Sequence, residues 1–372
     1  MRQTLPAWTY HSPAFFEAER TAIFQATWQL ACHVSDLPET GSFVRFRLLG
    51  QEAVVVRGED GEVRAFHNVC RHRASRLVIA GQGNCGHTLR CPYHGWTYDL
   101  RGRLRLVPGE AGFQGLDKGA VGLVPLDVEL LLGFVFIRFG GDGPGVAEIF
   151  APFLDALALY RTQEMVPLGG ESRRELAVNW KVAVDNNIEA YHVPVGHPGL
   201  QRLFGPNYTL EVAPHGLSRG GGPLTQGDDS PAWSERLYRR LLPRPDHLPP
   251  ERAWGWYYYA AFPSLAFDVY PDQIDFFQIL PLAVDRTLLR SRAYALPDAS
   301  RQMRAARYLN ERINRLVGAE DIDLVEGVQS GLGSRAYERG LLGSEEIRVF
   351  QFHEEIRARI PAARQEKEAA AC

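Results

Sequence analysis

The hydrophobic pattern has a helical period at the start of the chain and a strand period after it. Ser12 and Pro13 are typical of an N-cap and a first helical position, and an apolar stripe that includes Phe24 follows them. From residue 44 to residue 48, apolar side chains alternate with arginines, which is the period of a half-buried strand. The sequence therefore predicts a helix up to about Trp28, followed by antiparallel strands.

A glycine-rich segment, 140–145, follows a series of short predicted strands. The runs 53–56 and 63–66 flank Asp60-Gly61, a dipeptide typical of a tight hairpin. The run 134–139 predicts one more strand, directly before the glycine-rich segment. Because glycine and proline punctuate regular structure, we place a domain boundary at this segment.

The second part of the chain combines strands with amphipathic helices. Strand-like or helical patterns occur at 175–178, 181–192, 256–262, 274–280, 287–294, 306–316 and 320–332. A polar, glycine-rich stretch at 219–229 separates two of these groups and is predicted to be a solvated loop. The mixture predicts an α+β fold with antiparallel sheets.

Composition and charge exclude several classes of protein. The 372 residues carry 41 basic and 44 acidic side chains, a formal charge of −3, and offer no basic field for nucleic acid. Apolar runs are far shorter than the ~20 residues of a membrane span, and the N-terminus has no signal-peptide pattern, so we expect a cytoplasmic protein. Five cysteines in so long a chain make a poor disulfide framework and favour metal ligation.

Two cysteines and two histidines form the first candidate site. Cys70 and His72 have the spacing C-x-H, and after eighteen intervening residues Cys91 and His94 have the spacing C-x2-H. Such a set suits a structural zinc ion or a [2Fe–2S] cluster in which two histidines replace two cysteines on one iron. Zinc sites usually pair like ligands, whereas here each segment supplies one cysteine and one histidine. The pattern favours the cluster.

A second candidate site lies in the segment that follows Asn179-Trp180-Lys181. On a helix, Asp185, Glu189 and His192 would share one face, with spacings i, i+4 and i+7. Pro194 should end that helix, so His197 would approach from the following loop. Two histidines and a carboxylate form the facial triad of non-haem Fe(II) oxygenases, which leaves positions open for oxygen.

The carboxylate of this triad has three candidates: Glu189, Asp321 and Asp323. On the predicted helix 320–332, Asp321 is in phase with an apolar stripe, whereas Asp323 is in phase with polar residues. A carboxylate on a buried stripe is costly unless it is paired or metal-bound, so we predict Asp321. Asp185 and the adjacent Asn186 are candidates for catalysis, for orienting the ligands or for capping.

The first site resembles that of Rieske proteins, in the runs Cys70-Arg71-His72-Arg73 and Cys91-Pro92-Tyr93-His94-Gly95-Trp96. The resemblance implies that Cys70 and Cys91 bind one iron, and that His72 and His94 bind the other. The connecting segment is about a residue longer than is usual in the family and contains an additional cysteine, Cys85, for which packing is the default interpretation.

The chain as a whole resembles the α subunit of Rieske-type, ring-hydroxylating oxygenases. The resemblance implies that His192, His197 and Asp321 bind a mononuclear iron. In the family's homotrimer, Glu189 would not be a ligand but a bridge between the iron-bound His192 and a neighbouring subunit's His94. It also implies O2 as a substrate and electrons from NAD(P)H through a separate reductase or ferredoxin, because this chain has no flavin or nicotinamide motif.

The bridging position indicates a subgroup, because it holds Glu189 where the family usually has aspartate. This glutamate and the run 189–198 are similar to choline, glycine betaine and carnitine oxygenases. That similarity favours hydroxylation or N-demethylation of a quaternary ammonium or N-methyl compound, with hydroxylation of an aromatic acid as the alternative. A Rieske electron carrier without oxygenase activity is a further alternative. The aromatic residues of 254–259 are either a cage for a cation or the packed face of a strand.

The expected architecture follows from these assignments. We expect an N-terminal helix, 1–28, packed on the catalytic domain, an antiparallel β Rieske domain at 29–140 and a catalytic domain at 146–372. In the catalytic domain, a large antiparallel sheet would be packed by helices in a helix-grip arrangement.

Overall fold

The computed structural model describes residues 1–227, 230–298 and 300–367, and it separates into two compact units. One unit spans Phe24–Glu148, and the other combines Met1–Ile23 with the chain from Ile149 onward. The N-terminal segment contains strand β1 (Arg2–Gln3) and helix α1 (Pro13–Glu19), which continues as a π-helical turn at Arg20–Phe24. The helix thus ends four residues before the predicted Trp28.

The unit 24–148 is built from antiparallel strands. They are β2 (Gln29–His33), β3 (Ser42–Leu48), β4 (Gln51–Arg57), β5 (Val63–His67), β6 (Gln82–Asn84), β7 (Thr88–Arg90), β8 (Thr97–Asp99), β9 (Leu104–Leu106), β10 (Pro125–Leu131) and β11 (Phe134–Arg138). Seven form a sheet in the order β2-β11-β10-β5-β4-β3-β6, and the others form the sheet β7-β8-β9. The loop after β5 carries Cys70 and His72, and the turn between β7 and β8 carries Cys91 and His94.

The second unit contains helices around one large antiparallel sheet. Its helices are α2 (Val146–Phe150), which begins at the boundary, α3 (Leu154–Ala158), α4 (Trp180–Asn187), α5 (Val193–Gly196), α6 (Pro198–Phe204), α7 (Trp233–Leu241), α8 (Arg301–Leu332) and α9 (Ile347–Arg359). Its strands are β12 (Val166–Pro167), β13 (Ser172–Leu176), β14 (Thr209–Val212), β15 (Ser218–Pro223), β16 (Gly255–Ala261), β17 (Leu265–Val269), β18 (Ile274–Ala283), β19 (Arg286–Ala295) and β20 (Leu341–Leu342).

The large sheet has the order β12-β19-β18-β17-β16-β15-β14, and β13 also pairs with β19. Apolar side chains of α6 and α8, such as Phe204 and Leu309, pack with Trp256 of β16 in one hydrophobic cluster. The predicted α+β class is therefore confirmed. In the part of the chain that the structure describes, no helix combines the length and the apolar composition that a bilayer span needs.

The glycine-rich stretch corrects one prediction. Residues 218–223 do not form a solvated loop but strand β15, and Gly220, Gly221 and Gly222 are buried in it. A Cβ atom on Gly221 would lie 2.2 Å from the carbonyl oxygen of Trp256, and the φ of Gly221 is +106°. The glycines are there because neighbouring backbone comes too close for a side chain. Residues 228 and 229 of the predicted loop lie outside the described residues.

The C-terminal helical patterns also differ from the prediction. The two segments 306–316 and 320–332 belong to one continuous helix, α8, since Gly318 between them lies in open space and is tolerated there. Only part of the apolar stripe that contains Asp321 faces the protein interior. Val325 is buried, whereas Leu324 and Val328 are exposed.

Candidate iron sites

The two cysteine loops of the first site have the same hydrogen-bonded backbone. In each loop, the residue four positions after the cysteine donates its N–H to the cysteine carbonyl, from Ala74 to Cys70 and from Gly95 to Cys91, both at 3.1 Å. Ala74 and Gly95 have positive φ angles of 56° and 73°. Both cysteine side chains are buried and free of disulfides. Two similar tight turns therefore present two thiols to one region.

The two histidines of these loops lie against each other. The ring centroids of His72 and His94 are 4.6 Å apart, and His72 stacks on Trp96 at 4.9 Å. The Nδ1 atom of His72 is buried and has no hydrogen-bond partner among the described residues. A buried nitrogen in this state is costly unless it binds a ligand. The donor set of two thiols and two imidazoles therefore fits a Rieske cluster.

Tyr98 and Cys85 are close to this site in sequence but differ in their contacts. The Tyr98 hydroxyl lies 3.4 Å from Cys70 Sγ and accepts the backbone N–H of Arg71 at 3.1 Å. Hydrogen bonds to the ligand sulfur are one means of adjusting a cluster's reduction potential. Cys85, in contrast, donates its thiol to the carbonyl of Gly41 at 3.3 Å.

The second site brings His192, His197 and Asp321 together. One ligand atom from each lies within 4.8 Å of the others. Nε2 of His197 is 2.9 Å from Asp321 Oδ1, and Nε2 of His192 is 3.8 Å from the same oxygen. Two imidazoles and one carboxylate that converge in this way fit the facial triad of non-haem Fe(II).

The backbone that carries His192 corrects a second prediction. Helix α4 ends at Asn187, and the last helical bond runs from Ile188 N–H to Val184 at 3.0 Å, so Glu189 and His192 do not share a helical face with Asp185. The Glu189 carboxylate accepts hydrogen bonds from the backbone N–H groups of Tyr191 and His192. In a continued helix, these N–H groups would donate to main-chain carbonyls instead. His192 therefore precedes α5 in a turn.

Both histidines have a carboxylate on the ring nitrogen that faces away from Asp321. Glu189 Oε1 contacts His192 Nδ1, and Glu320 Oε2 lies 2.8 Å from His197 Nδ1. The pKa of His197 is raised above its ordinary value. Burial by itself would lower this pKa, but the hydrogen bonds to Asp321 and Glu320 have the larger combined effect. Such partners orient ligand histidines and increase their basicity.

Asp185 and Asn186 lie outside this triad. The Asp185 carboxylate accepts the hydroxyl of Tyr10 at 2.8 Å and is 2.9 Å from Nε2 of the buried His353. Because Leu5 N–H donates to His353 Nδ1, Nε2 is the nitrogen that donates to Asp185. Asp185 thus ties α4 to the N-terminal segment and to α9. Asn186 is half-buried in the last turn of α4.

Sequence patterns missed the contact of Glu320 with His197. Glu320 directly precedes Asp321, and only the position of α8 against His197 shows that both carboxylates reach the same ring.

The aromatic residues of the run 254–259 differ in their exposure. Trp256 and Tyr259 are buried in the packed sheet, whereas Tyr258 is half-buried.

Comparison with known proteins defines the class. Residues 164–362 match the family model described as ring hydroxylating alpha subunit (catalytic domain), and residues 27–118 match the Rieske [2Fe-2S] domain. The chain belongs to the α subunits of the Rieske-type, ring-hydroxylating oxygenases. It is an oxidoreductase, and its expected cofactors, a Rieske [2Fe–2S] cluster and a mononuclear iron, are confirmed by these matches.

Individual relatives belong to one subgroup. The glycine betaine monooxygenase oxygenase subunit of Chromohalobacter salexigens is 31% identical, over 91% of this chain and 81% of the relative. The carnitine monooxygenase oxygenase subunit of Acinetobacter pittii is 30% identical, over 90% of this chain and 86% of the relative. A structure of the quaternary ammonium Rieske monooxygenase CntA with L-carnitine matches with a TM-score of 0.79 at 26% identity, over 96% of this chain and 95% of the other.

The fold extends to more distant oxygenases. Naphthalene 1,2-dioxygenase from Rhodococcus sp. matches with a TM-score of 0.77 at 22% identity, over 96% of this chain and 94% of the other. At this identity the likeness concerns the fold alone.

Proposed function

We propose that this chain is the oxygenase component of a system that hydroxylates or N-demethylates a small quaternary ammonium or N-methyl compound. Electrons come from NAD(P)H through a separate reductase or ferredoxin. The convergence of His192, His197 and Asp321 in a chain with a Rieske site carries the oxygenase assignment. The activities named for the glycine betaine and carnitine monooxygenases support the substrate class.

The proposed ligands follow from the two donor sets. Cys70 and Cys91 bind one iron of the cluster, and His72 and His94 bind the other. His192, His197 and Asp321 bind the mononuclear iron. When bound, the cluster supplies single electrons and the mononuclear iron supplies the activation of O2.

Glu189 is proposed as the bridge for electron transfer in a homotrimer. Its carboxylate contacts His192 Nδ1, and the side chain is 13% exposed, so one edge remains available to another group. A neighbouring subunit's His94 is the proposed partner on that edge. A structural study of CntA names inter-subunit electron transfer in that enzyme, which supports the same arrangement here.

The overall reaction balances as a monooxygenation. One substrate C–H bond, O2, two electrons and two protons give one C–OH group and one water. On an N-methyl carbon the product is an N–CH2OH group, which breaks at the C–N bond to give formaldehyde and an amine.

The test uses the purified holoenzyme with a reductase and NADH. We expect about three irons per chain, a Rieske EPR signal after dithionite reduction and a separate ferrous site that binds nitric oxide. Oxygen uptake and formaldehyde are then measured with betaines, choline and aromatic acids. Turnover of aromatic acids alone would overturn the substrate class. A Rieske signal with no second iron after ferrous reconstitution would make the protein an electron carrier.

A further inference from the structure

The two histidines of the Rieske site have different aromatic neighbours. The ring of His94 lies against that of Tyr93, with centroids 3.7 Å apart. His72 instead stacks on Trp96 with an angle of 8° between the rings, and Phe113 meets the His72 ring edge-on at 5.7 Å. The Rieske site therefore has two distinct sides, one at each histidine.

The side at His72 reaches the surface of the unit through Phe113. Trp96 is buried, whereas Phe113 is 36% exposed. The Phe113 ring lies 5.7 Å from Trp96, so it contacts the stacked pair on one side and solvent on the other. A redox protein that touched Phe113 would be separated from the proposed iron ligand His72 by a single side chain.

The chain around this site is strongly basic. Between Cys70 and Phe113 it carries seven arginines but only two carboxylates, although the net charge of the whole chain is −3. All seven arginines are exposed: Arg71, Arg73, Arg76, Arg90, Arg101, Arg103 and Arg105. Such an excess of one sign creates a local field that attracts a partner of the opposite charge.

Three of these arginines lie on the outer face of the small sheet β7-β8-β9. Arg90 of β7 and Leu106 of β9 both lie opposite Thr97 of β8, and Leu106 is 52% exposed. Directly opposite residues point to the same face of a sheet, so this face is the outer one. Asp99 follows Thr97 by two residues and points to the same face.

Asp99 is the carboxylate that pairs with arginines of this face. Nε of Arg103 and Nε of Arg105 lie 2.9 and 3.0 Å from the same oxygen, Oδ2 of Asp99. Arg90 forms no ion pair with any residue that the structure describes. We call Arg90, Arg103 and Arg105 the arginine face, since three guanidinium groups beside one carboxylate leave it positively charged.

The charged groups at the border of this face have partners of their own. Arg64 and Arg101 both lie 2.8 Å from Asp60, and Lys118 lies 2.9 Å from Glu110. Neither carboxylate therefore cancels the charge of the arginine face.

The arginine face adjoins the side at which Phe113 meets His72. Nη2 of Arg90 lies 3.5 Å, and Cγ of Pro108 lies 3.2 Å, from the position that a Cβ of Gly95 would occupy. Gly95 directly precedes Trp96, and Pro108 begins the loop that carries Phe113. The positive charge and the aromatic contact to His72 thus belong to one surface of the unit 24–148.

We propose that the arginine face and Phe113 form the docking surface for the electron donor, an acidic protein that delivers single electrons on the His72 side of the Rieske site. This inference rests on the proposed function and assigns a position to its separate reductase or ferredoxin. Each transfer oxidises the donor by one electron and reduces the cluster by one electron, while Trp96 and Phe113 remain unchanged. Entry at His72 leaves the His94 side, with Tyr93, for the neighbouring subunit.

The composition of this surface suits a transient protein partner. Arginine and aromatic residues are enriched at protein interfaces, and complementary charge speeds the encounter of two proteins. Electron-transfer complexes are among the smallest interfaces, so a few contacts at Leu106 and Phe113 are sufficient.

Anaerobic reduction of the cluster in the wild-type holoenzyme, without substrate, tests the docking surface. The probe is a reduced, acidic plant-type [2Fe–2S] ferredoxin, and the methyl viologen radical cation is the donor that needs no acidic surface. Loss of visible absorbance in a stopped-flow instrument gives both rates. We expect the rate constant with ferredoxin to fall about tenfold or more between low and high salt, and the rate with methyl viologen not to fall. A ferredoxin rate that does not depend on salt, or no reduction by ferredoxin at low salt, would overturn the proposal.

Substitutions assign the effect to the arginine face. The double variant Arg103→Gln, Arg105→Gln should lower the rate constant with ferredoxin about fivefold or more and should not slow reduction by methyl viologen. Arg90→Gln, which breaks no ion pair, is the second variant if the double variant does not fold. Arg47→Gln is the matched control, because Arg47 is exposed in the same unit and lies 3.4 Å from a carboxylate, that of Glu52. Equal ferredoxin rates in the control and in the arginine-face variants would overturn the docking surface.

Phe113→Ala separates docking from electron entry. It should lower the limiting rate at saturating ferredoxin more than it changes the half-saturating concentration, because it removes the side chain between the donor and His72. The EPR signal of the reduced cluster shows that the cluster itself is unchanged. A limiting rate equal to that of the wild type would contradict entry at this side.

Light scattering of the same variants separates the donor from a second copy of this chain. Variants that change the oligomeric state and leave the ferredoxin rate unchanged would place the arginine face between subunits and overturn the proposal. Since neither substrate nor O2 is present, the result is independent of the proposed function. Oxygenase turnover with salt-independent reduction would remove only this inference, whereas salt-dependent reduction without turnover would remove only the oxygenase function.

Discussion

Oε2 of Glu320 lies 2.8 Å from Nδ1 of His197, on the side of the ring opposite to Asp321. Two consecutive residues of α8 therefore hold the two nitrogens of one imidazole. We predict that Glu320→Ala lowers the affinity for the mononuclear iron about tenfold or more, because His197 loses the acceptor that orients its ring. Iron content after dialysis against a chelator measures the effect.

Asp323→Ala is the matched control for this variant, because Asp323 is exposed on the same helix. The cluster spectrum should remain that of the wild type in both variants. If both variants lose iron to the same extent, Glu320 has no specific role in orienting His197.

Removal of the Glu189 carboxylate, the proposed bridge, should impair electron transfer between subunits more than it impairs metal binding. We predict that Glu189→Ala retains the cluster, and that its mononuclear site must be reloaded with ferrous iron because His192 also loses the acceptor that orients its ring. With both irons in place, turnover should still fall to background, because no carboxylate connects His192 to the cluster of a neighbouring subunit. The rate at which O2 reoxidises the reduced cluster in the presence of substrate measures this transfer. Glu211→Ala, at an exposed carboxylate, is the control. Wild-type turnover in Glu189→Ala would refute the bridge.

A buried ion pair joins the N-terminal segment to α4. Lys181 Nζ lies 2.6 Å from Glu19 Oε1, both side chains are fully buried, and Trp180 Nε1 donates to Glu19 Oε2 at 3.0 Å. We predict that Lys181→Met lowers the free energy of unfolding by about 3–5 kcal/mol, because Glu19 is left as an unpaired buried charge. Urea unfolding followed by tryptophan fluorescence measures the loss.

A second substitution tests the cause of that loss. The double variant Glu19→Leu, Lys181→Met should recover much of the stability, since it removes both charges. Lys118→Met, in the exposed pair with Glu110, should change the stability by no more than about 0.5 kcal/mol. A double variant as unstable as Lys181→Met would show that packing, and not charge, explains the loss.

The raised pKa of Asp268 predicts a pH dependence of stability. Burial raises this pKa from 3.8 to about 7, although Arg348 and the Tyr270 hydroxyl lower it. The folded state thus binds the proton more tightly than the unfolded state, so the stabilisation is complete below about pH 4 and is lost as the pH rises through 7. The stability of Asp268→Asn relative to the wild type should therefore rise between about pH 4 and pH 7.

Thermal unfolding of both proteins across this pH range measures the difference. Asp275 lies directly opposite Asp268, and its pKa is raised by burial and by the charge of Asp268. Asp275→Asn should therefore show a trend of the same sign. A stability difference that stays constant with pH would mean that Asp268 titrates near its ordinary value in the folded protein.

Local motifs made part of this protein predictable. Cys70 and His72, like Cys91 and His94, are separated by one or two residues, and a tight turn with its own hydrogen bonds aims each pair. The strands were also predictable, because the alternation of apolar and polar side chains along a strand is a pattern among neighbouring residues. Where the turn depends on a side chain's own hydrogen bonds, prediction failed: the carboxylate of Glu189 replaces helical acceptors and ends the expected helix early.

The sequence by itself therefore determined the class of fold and the two cofactors, and it indicated the candidate ligand types, since these depend on patterns within a few residues. Only the tertiary structure decided which carboxylates reach His197, why Gly220 to Gly222 form a buried strand, and that Asp268 and Asp275 lie directly opposite each other. These relations join residues far apart in the chain. They are set by sheet register and helix packing, which no local pattern of hydrophobic and polar positions encodes.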